Sequence, residues 1–201
     1  MAFQQFTFPQ VIEELGLSVA DMKLFDTLPA ESVAPDFEQS IREGADLASA
    51  INTEKARSEF VIAPLLFVLW RRHRGQFCIF SGVELVADAN RGLNGICDFL
   101  LARSASQHIM TLPILSIVEA KNENLRSGLG QCIASLVAAN IVNASKSGSQ
   151  TPVYGVVTSG SLWKFLKLVG SDLSIDGSEY HINQLGKLFA VLGSIVTSYR
   201  K

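Results

Sequence analysis

One stretch of the chain joins opposite charges to a buried-looking strand. Residues 112–125 read LPILSIVEAKNENL, an apolar, partly β-branched run that closes on Glu119, Ala120 and Lys121. Residues i and i+2 of a strand project to one side. Glu119 and Lys121 are therefore expected to point together, next to Ile117 and Leu115. Such a pair could be an ion pair where the strand meets water, or half of a metal site. Asp98 stands in GICDFLLA between Ile96, Cys97, Phe99 and Leu100. A carboxylate there is costly to bury unless it is paired, protonated or bound to a metal. Glu59 lies in ARSEFVIAPLL beside Phe60, Val61 and Ile62. Three acids and a lysine on largely apolar segments are hard to explain by packing alone.

The elements that must carry them can be read from periodicity. Asn52-Thr53-Glu54-Lys55 supplies a helix cap and an acidic first turn, followed by an apolar helix to about Arg74. Pro64 within it predicts a kink or break near residues 60–63. Residues 77–86, 96–103 and 112–120 read as strands, with turn residues Asn90-Arg91-Gly92 and Asn94-Gly95 between the first two. A helix is expected from about Ser127 to Asn143, with Leu129, Cys132, Ile133, Leu136, Val137 and Ile141 at helical spacing. Residues 152–158 and 162–168 read as strands, 175–182 as a short strand, and 185–199 as a terminal amphipathic helix. Residues 1–50 carry two helical stretches and a Pro/Ser loop, and read as a helical N-terminal extension. The expected fold is α/β in the α+β sense: a mixed sheet flanked by helices over residues 51–201.

The order of these groups resembles the PD-(D/E)XK nuclease superfamily, with its restriction-endonuclease-like fold. In that family a helix carries a glutamate, matched by Glu59 in ARSEFVIAPLL. A strand carries an aspartate, matched by Asp98 in GICDF. The next strand carries (D/E)-x-K, matched by Glu119 and Lys121 in IVEAKN. The following helix often carries a glutamine, matched by Gln131 in GLGQC. GVVTSGSLWKFLKL resembles the strand–turn–strand that completes the sheet in relatives of type I restriction subunit nuclease domains. The resemblance covers roughly residues 54–168. It departs from the pattern at Cys97, where many members have proline, and at Ser135, where some have tyrosine.

The resemblance implies a magnesium-dependent hydrolase of phosphodiester bonds in DNA or RNA, with manganese able to substitute. The chemistry of the residues agrees. Phosphodiester hydrolysis needs an activated water and a neutralised phosphate, and a divalent ion supplies both. Magnesium takes one or two carboxylates and keeps several waters. Asp98 and Glu119 would provide the carboxylates, the Ala120 carbonyl a third oxygen, and Glu59 a ligand directly or through water. Lys121 would orient the attacking water and offset developing negative charge. Gln131 would support the site. Histidine and cysteine are absent from the cluster, which argues against zinc.

Plainer readings stand beside these. Glu119/Lys121 could be an exposed ion pair of about 0–1 kcal/mol. Asp98 could accept turn hydrogen bonds, Glu59 could lie on a solvated face, and Gln131 could be a first-turn polar residue. Arg71-Arg72-His73-Arg74 reads as a basic helix end, and Gly128-Leu-Gly130 as a turn. Trp163 and Phe165 read as core.

Composition narrows the classes. The 201 residues are 48% hydrophobic with net charge −2, which excludes a basic, sequence-blind nucleic-acid coat. Cys78, Cys97 and Cys132 sit in apolar runs and read as core residues of a reducing cytoplasm. No signal peptide is evident, and the longest apolar run, FVIAPLLFVLW, is short of the ~20 residues of a membrane helix. The expectation is a cytoplasmic nuclease with DNA as partner, a homodimer or the companion of another subunit. The rival readings are a catalytically silent nucleic-acid- or protein-binding module on the same fold, and a structural oligomer.

Overall fold

The computed structural model describes residues 3–122, 124–147 and 151–198. Its elements, in chain order, are α1 (Gln10–Glu14), β1 (Ser18–Met22), α2 (Pro35–Ile51), α3 (Glu54–Arg57), a π-helical turn (Ser58–Ile62), α4 (Ala63–Arg72), β2 (Cys78–Asp88), β3 (Leu93–Ala102), β4 (Ile114–Ala120), α5 (Leu125–Ser147), β5 (Val153–Thr158), β6 (Leu162–Val169), β7 (Asp172–Asp176), β8 (Tyr180–His181) and α6 (Leu185–Thr197). The strands form one mixed sheet in the order β1-β7-β6-β5-β4-β3-β2, with β8 beside β6. The architecture is therefore α+β, an eight-stranded mixed sheet flanked by helices.

Two apolar layers hold it. On one face α5 covers the sheet, with Cys132, Ile133, Leu136 and Ala138 fully buried against Ile117, Val153 and Val157. Alanine on the helix and Gly155 on β5 let the two approach. A Cβ at Gly155 would meet the Cys132 sulfur at 2.8 Å. By length and composition α5 resembles a membrane span, yet 72% of its most apolar window is buried inside the protein. On the other face α2, the π-helical turn, α4 and α6 pack Ile41, Ile62, Leu65, Leu69, Phe189 and Ile195 over Leu115, Val156, Trp163 and Phe165. Trp163 also donates its indole N–H to the Gly160 carbonyl, 2.9 Å away, so both aromatic residues of β6 are core.

Residues 1–50 are more than a helical extension. Their strand β1 pairs in parallel with β7 at the sheet edge. Phe3 and Val11 enter the core under α5, while Phe25 and Ile41 enter the opposite one. The alternation signal was absent because every residue of β1 is exposed.

Pro64 breaks the helix as expected. It lacks the N–H that would continue an α-helical ladder. The chain resolves this one turn earlier with a π-helical turn, in which the Ala63 N–H reaches back to the Ser58 carbonyl. Gly44 of α2 packs against the Phe60 carbonyl in this turn, where a side chain would clash with it. Thr53 caps α3 by accepting from the Ala56 N–H at 3.1 Å. The basic end of α4 is used in packing. Arg72 pairs with Glu31 at 2.9 Å and lies 4.3 Å over Phe189, and Arg74 lies over Trp70.

Candidate functional site

The centre of the sheet brings β3 and β4 together in antiparallel register, Phe99 opposite Val118 and Leu100 opposite Ile117. Carried one pair further, that register sets Asp98 opposite Glu119. Directly opposed residues share a face, so both acids project toward α5. A register shift between Leu101 and Ala102 moves Leu115 into the other core, while Ile117 stays on the Glu119 side.

Asp98 does not simply pair with a cation. Its Oδ2 accepts from the Ala120 N–H at 2.7 Å, which ties the aspartate to the strand end. The opposing position on β2 is Gly82, with φ +65°. That left-handed residue interrupts the β2 ladder beside Asp98, as irregular strand positions near functional sites often do.

Glu119 is fully buried. Its Oε2 accepts from the Gln131 amide at 2.7 Å. The Gln131 carbonyl oxygen in turn accepts from the Lys121 ammonium at 3.1 Å. Gln131 therefore bridges acid and base, and the expectation that Glu119 and Lys121 point together holds through it. Gly128 makes room for this arrangement: a Cβ there would lie 2.7 Å from Lys121 Cγ and 2.8 Å from Val157 Cγ1. Gly130, one turn-step on, makes room for the Phe6 carbonyl. The two glycines lie inside α5 and not in the expected turn, and both serve close packing.

The second carboxylate oxygen, Glu119 Oε1, is buried and has no hydrogen-bond partner among the described residues. Burial, and then the neighbouring Asp98 carboxylate, push the Glu119 carboxyl well above the usual carboxylate range; Lys121 pulls the other way and Glu54 adds to the rise. These facts have one physical cause. In its ionised form Glu119 has no proton to give its neighbour, and Oε1 is left bare. Protonated, Glu119 can donate to Asp98.

Asp98, Lys121 and Gln131 line a cleft of about 210 Å³ together with Glu54, Phe3, Gln4, Gly95 and Ile96. Among the described residues three larger clefts, beside Arg91, beside Trp70 and beside Arg42, gather no comparable set of two acids, a lysine and a glutamine.

The helix acid at the cleft is Glu54, and Glu59 is elsewhere. Glu59 sits in the π-helical turn with its side chain 54% exposed, paired with Lys55 at 3.2 Å. Five positions along a helix turn a side chain to the far side. Glu54 has the signal that was overlooked. With Arg57 and Val61 it forms an i, i+3, i+7 face, and both of those residues are buried. Arg57 and Asn122 were also missed; they meet at 3.0 Å behind the strand end.

The donor set fits a hard divalent cation. Asp98 and Glu119 each have one oxygen held by the protein and one left over, and the Glu119 orphan is buried. Oxygen-only donors suit magnesium or manganese. Among the described residues no group of three or more Asp, Glu, His or Cys side chains is placed to hold a metal ion. A magnesium site that keeps several waters does not need one. No protein-family model and no curated protein matches this chain.

Proposed function

We propose that this chain is a magnesium-dependent nuclease of the PD-(D/E)XK kind, hydrolysing phosphodiester bonds of DNA in the cytoplasm. The observation that carries this reading is the bare, buried Glu119 oxygen beside Asp98, linked through Gln131 to Lys121. A buried carboxylate oxygen that the protein leaves without a donor calls for a proton, a water or an ion to satisfy it, and the reading assigns that place to the ion.

Asp98, Glu119 and the Ala120 carbonyl would hold the ion, with Glu54 in the place first assigned to Glu59. A bound magnesium ion would supply an acidified water and neutralise the phosphate. The chain's own groups do the rest. Lys121 brings an ammonium to the cleft wall, where it orients the attacking water and offsets charge on the phosphorane-like transition state. Gln131 holds that ammonium and the buried face of Glu119 at once. Asp98 is held by the Ala120 N–H, so its free oxygen has a fixed direction.

A second reading has its own support. The Gln131 bridge engages Glu119 Oε2 and the Lys121 ammonium internally, an arrangement that also suits a silent binding module on the same scaffold. Calorimetric titration with manganese separates the two. The nuclease reading expects binding that releases protons and that is lost in Asp98→Ala. No binding to the folded wild type supports the silent module.

A further inference from the structure

Arg57 is 6% exposed, yet among the described residues no carboxylate lies within ion-pair distance of it. A buried cation without a counter-ion is expensive. What it does instead is donate to three neutral acceptors. Nε reaches Asn122 Oδ1 at 3.0 Å, Nη1 reaches the Ser159 carbonyl at 3.1 Å, and Nη2 reaches Asn52 Oδ1 at 3.1 Å.

Each acceptor sits next to something the cleft needs. β4 and β5 pair in parallel up to Ala120 and Thr158. Beyond that, the Lys121 N–H donates to the Thr158 carbonyl at 2.7 Å. Asn122 follows Lys121, and Ser159 follows Thr158. Two prongs of one guanidinium therefore clamp both strands one residue past their last rung. The third prong goes to Asn52, the left-handed end of α2, with φ 56°. Asn52 and Arg57 thereby bracket Thr53 and Glu54, so the acid of α3 is held in the same clamp. Only a planar fork with donors in three directions spans these acceptors. A lysine carries the charge but not the geometry.

We infer that Arg57 is a positioning residue of the cleft. It fixes Glu54 and Lys121 relative to each other. The inference rests on the nuclease reading for its effect on catalysis, but not for its effect on the strand end.

Arg57→Lys tests it, with Asn122→Ala as the milder variant that keeps the arginine. Native-state hydrogen exchange and magnesium-dependent cleavage are read on the same folded proteins. Losing a charge-assisted bond predicts that the Lys121 amide exchanges at least about tenfold faster, while Ile117 and Val118 in mid-strand keep their protection. The turnover number falls by at least about tenfold with KM within about twofold, as loss of alignment and not of binding requires. Unchanged exchange at Lys121 overturns the inference. So does uniform loosening of all of β4, which is general destabilisation. Faster Lys121 exchange with unchanged turnover in an active enzyme overturns the catalytic half. If the wild type cleaves nothing while the local exchange effect is present, the nuclease reading fails and the clamp stands.

Discussion

Replacing Glu119 by glutamine should make the metal-free protein more stable. An ordinary polar residue in a core gives the opposite result, because its removal leaves partners unsatisfied. Here the wild-type carboxylate is the unsatisfied group. Oε1 is buried without a donor, and Asp98 repels it. Glutamine keeps the shape, still accepts from Gln131, and turns an N–H toward Asp98. A buried polar atom without a partner costs about 1–3 kcal/mol, so the gain at pH 8 should be about 1–3 kcal/mol. For a chain of this size each kcal/mol moves the Tm by about 2–4 °C. The gain must depend on pH. The Glu119 carboxyl is raised in the folded state, whereas in the unfolded chain it titrates near 4.3. Between those two values the folded protein binds the extra proton, so its stability falls as pH rises through the window. The Glu119→Gln advantage should therefore vanish below about pH 4 and open as pH climbs. Urea unfolding of both proteins from pH 4 to 9 in EDTA reads it directly. A destabilised glutamine variant at pH 8, or an advantage that ignores pH, refutes the argument.

Other consequences follow from the same geometry. Glu54→Ala should lower magnesium-dependent cleavage by at least about tenfold, while Glu59→Ala should leave cleavage unchanged and stability within about 0.5 kcal/mol; parallel cleavage assays decide which helix acid serves the cleft. Gly128→Ala forces a methyl group against the Lys121 stem, and should cost about 1–3 kcal/mol of stability and abolish cleavage in the fraction that folds, measured by thermal melts beside activity. Burial raises the thiols of Cys97 and Cys132, so in the native state neither should react with a thiol reagent at pH 8 until urea unfolds the chain.

The strong periodic signals in the sequence were those of elements with one clear environment. β3, β4 and β5 are buried along most of their length, and their apolar runs gave them away. α5 reads as helix because Leu129, Cys132, Ile133, Leu136, Val137 and Ile141 recur at helical spacing, although it begins at Leu125, earlier than the apolar pattern suggests. Asn124 sets that start by accepting from the Arg126 N–H at 3.0 Å. β1 was illegible because an exposed edge strand has no apolar face to alternate. The cluster of Asp98, Glu119, Lys121 and Gln131 was legible because charges inside apolar runs are conspicuous. Glu54 was not, because a capped acidic first turn is what any helix start looks like. Only the burial of Arg57, three residues on, marks that face as the inner one. Arg57 itself has no signal in the sequence, since two of its three acceptors, Asn122 and Ser159, come from distant parts of the chain.

The central claim is that Asp98, Glu119 and Lys121 form a magnesium-dependent hydrolytic site. Its most direct test is cleavage of single- and double-stranded DNA titrated with magnesium, manganese and EDTA, by the wild type and by folded Asp98→Ala and Lys121→Ala proteins. The account predicts cleavage that requires the metal and disappears in both variants. Cleavage that persists in the variants, or a folded, metal-saturated wild type that cuts neither substrate, contradicts it.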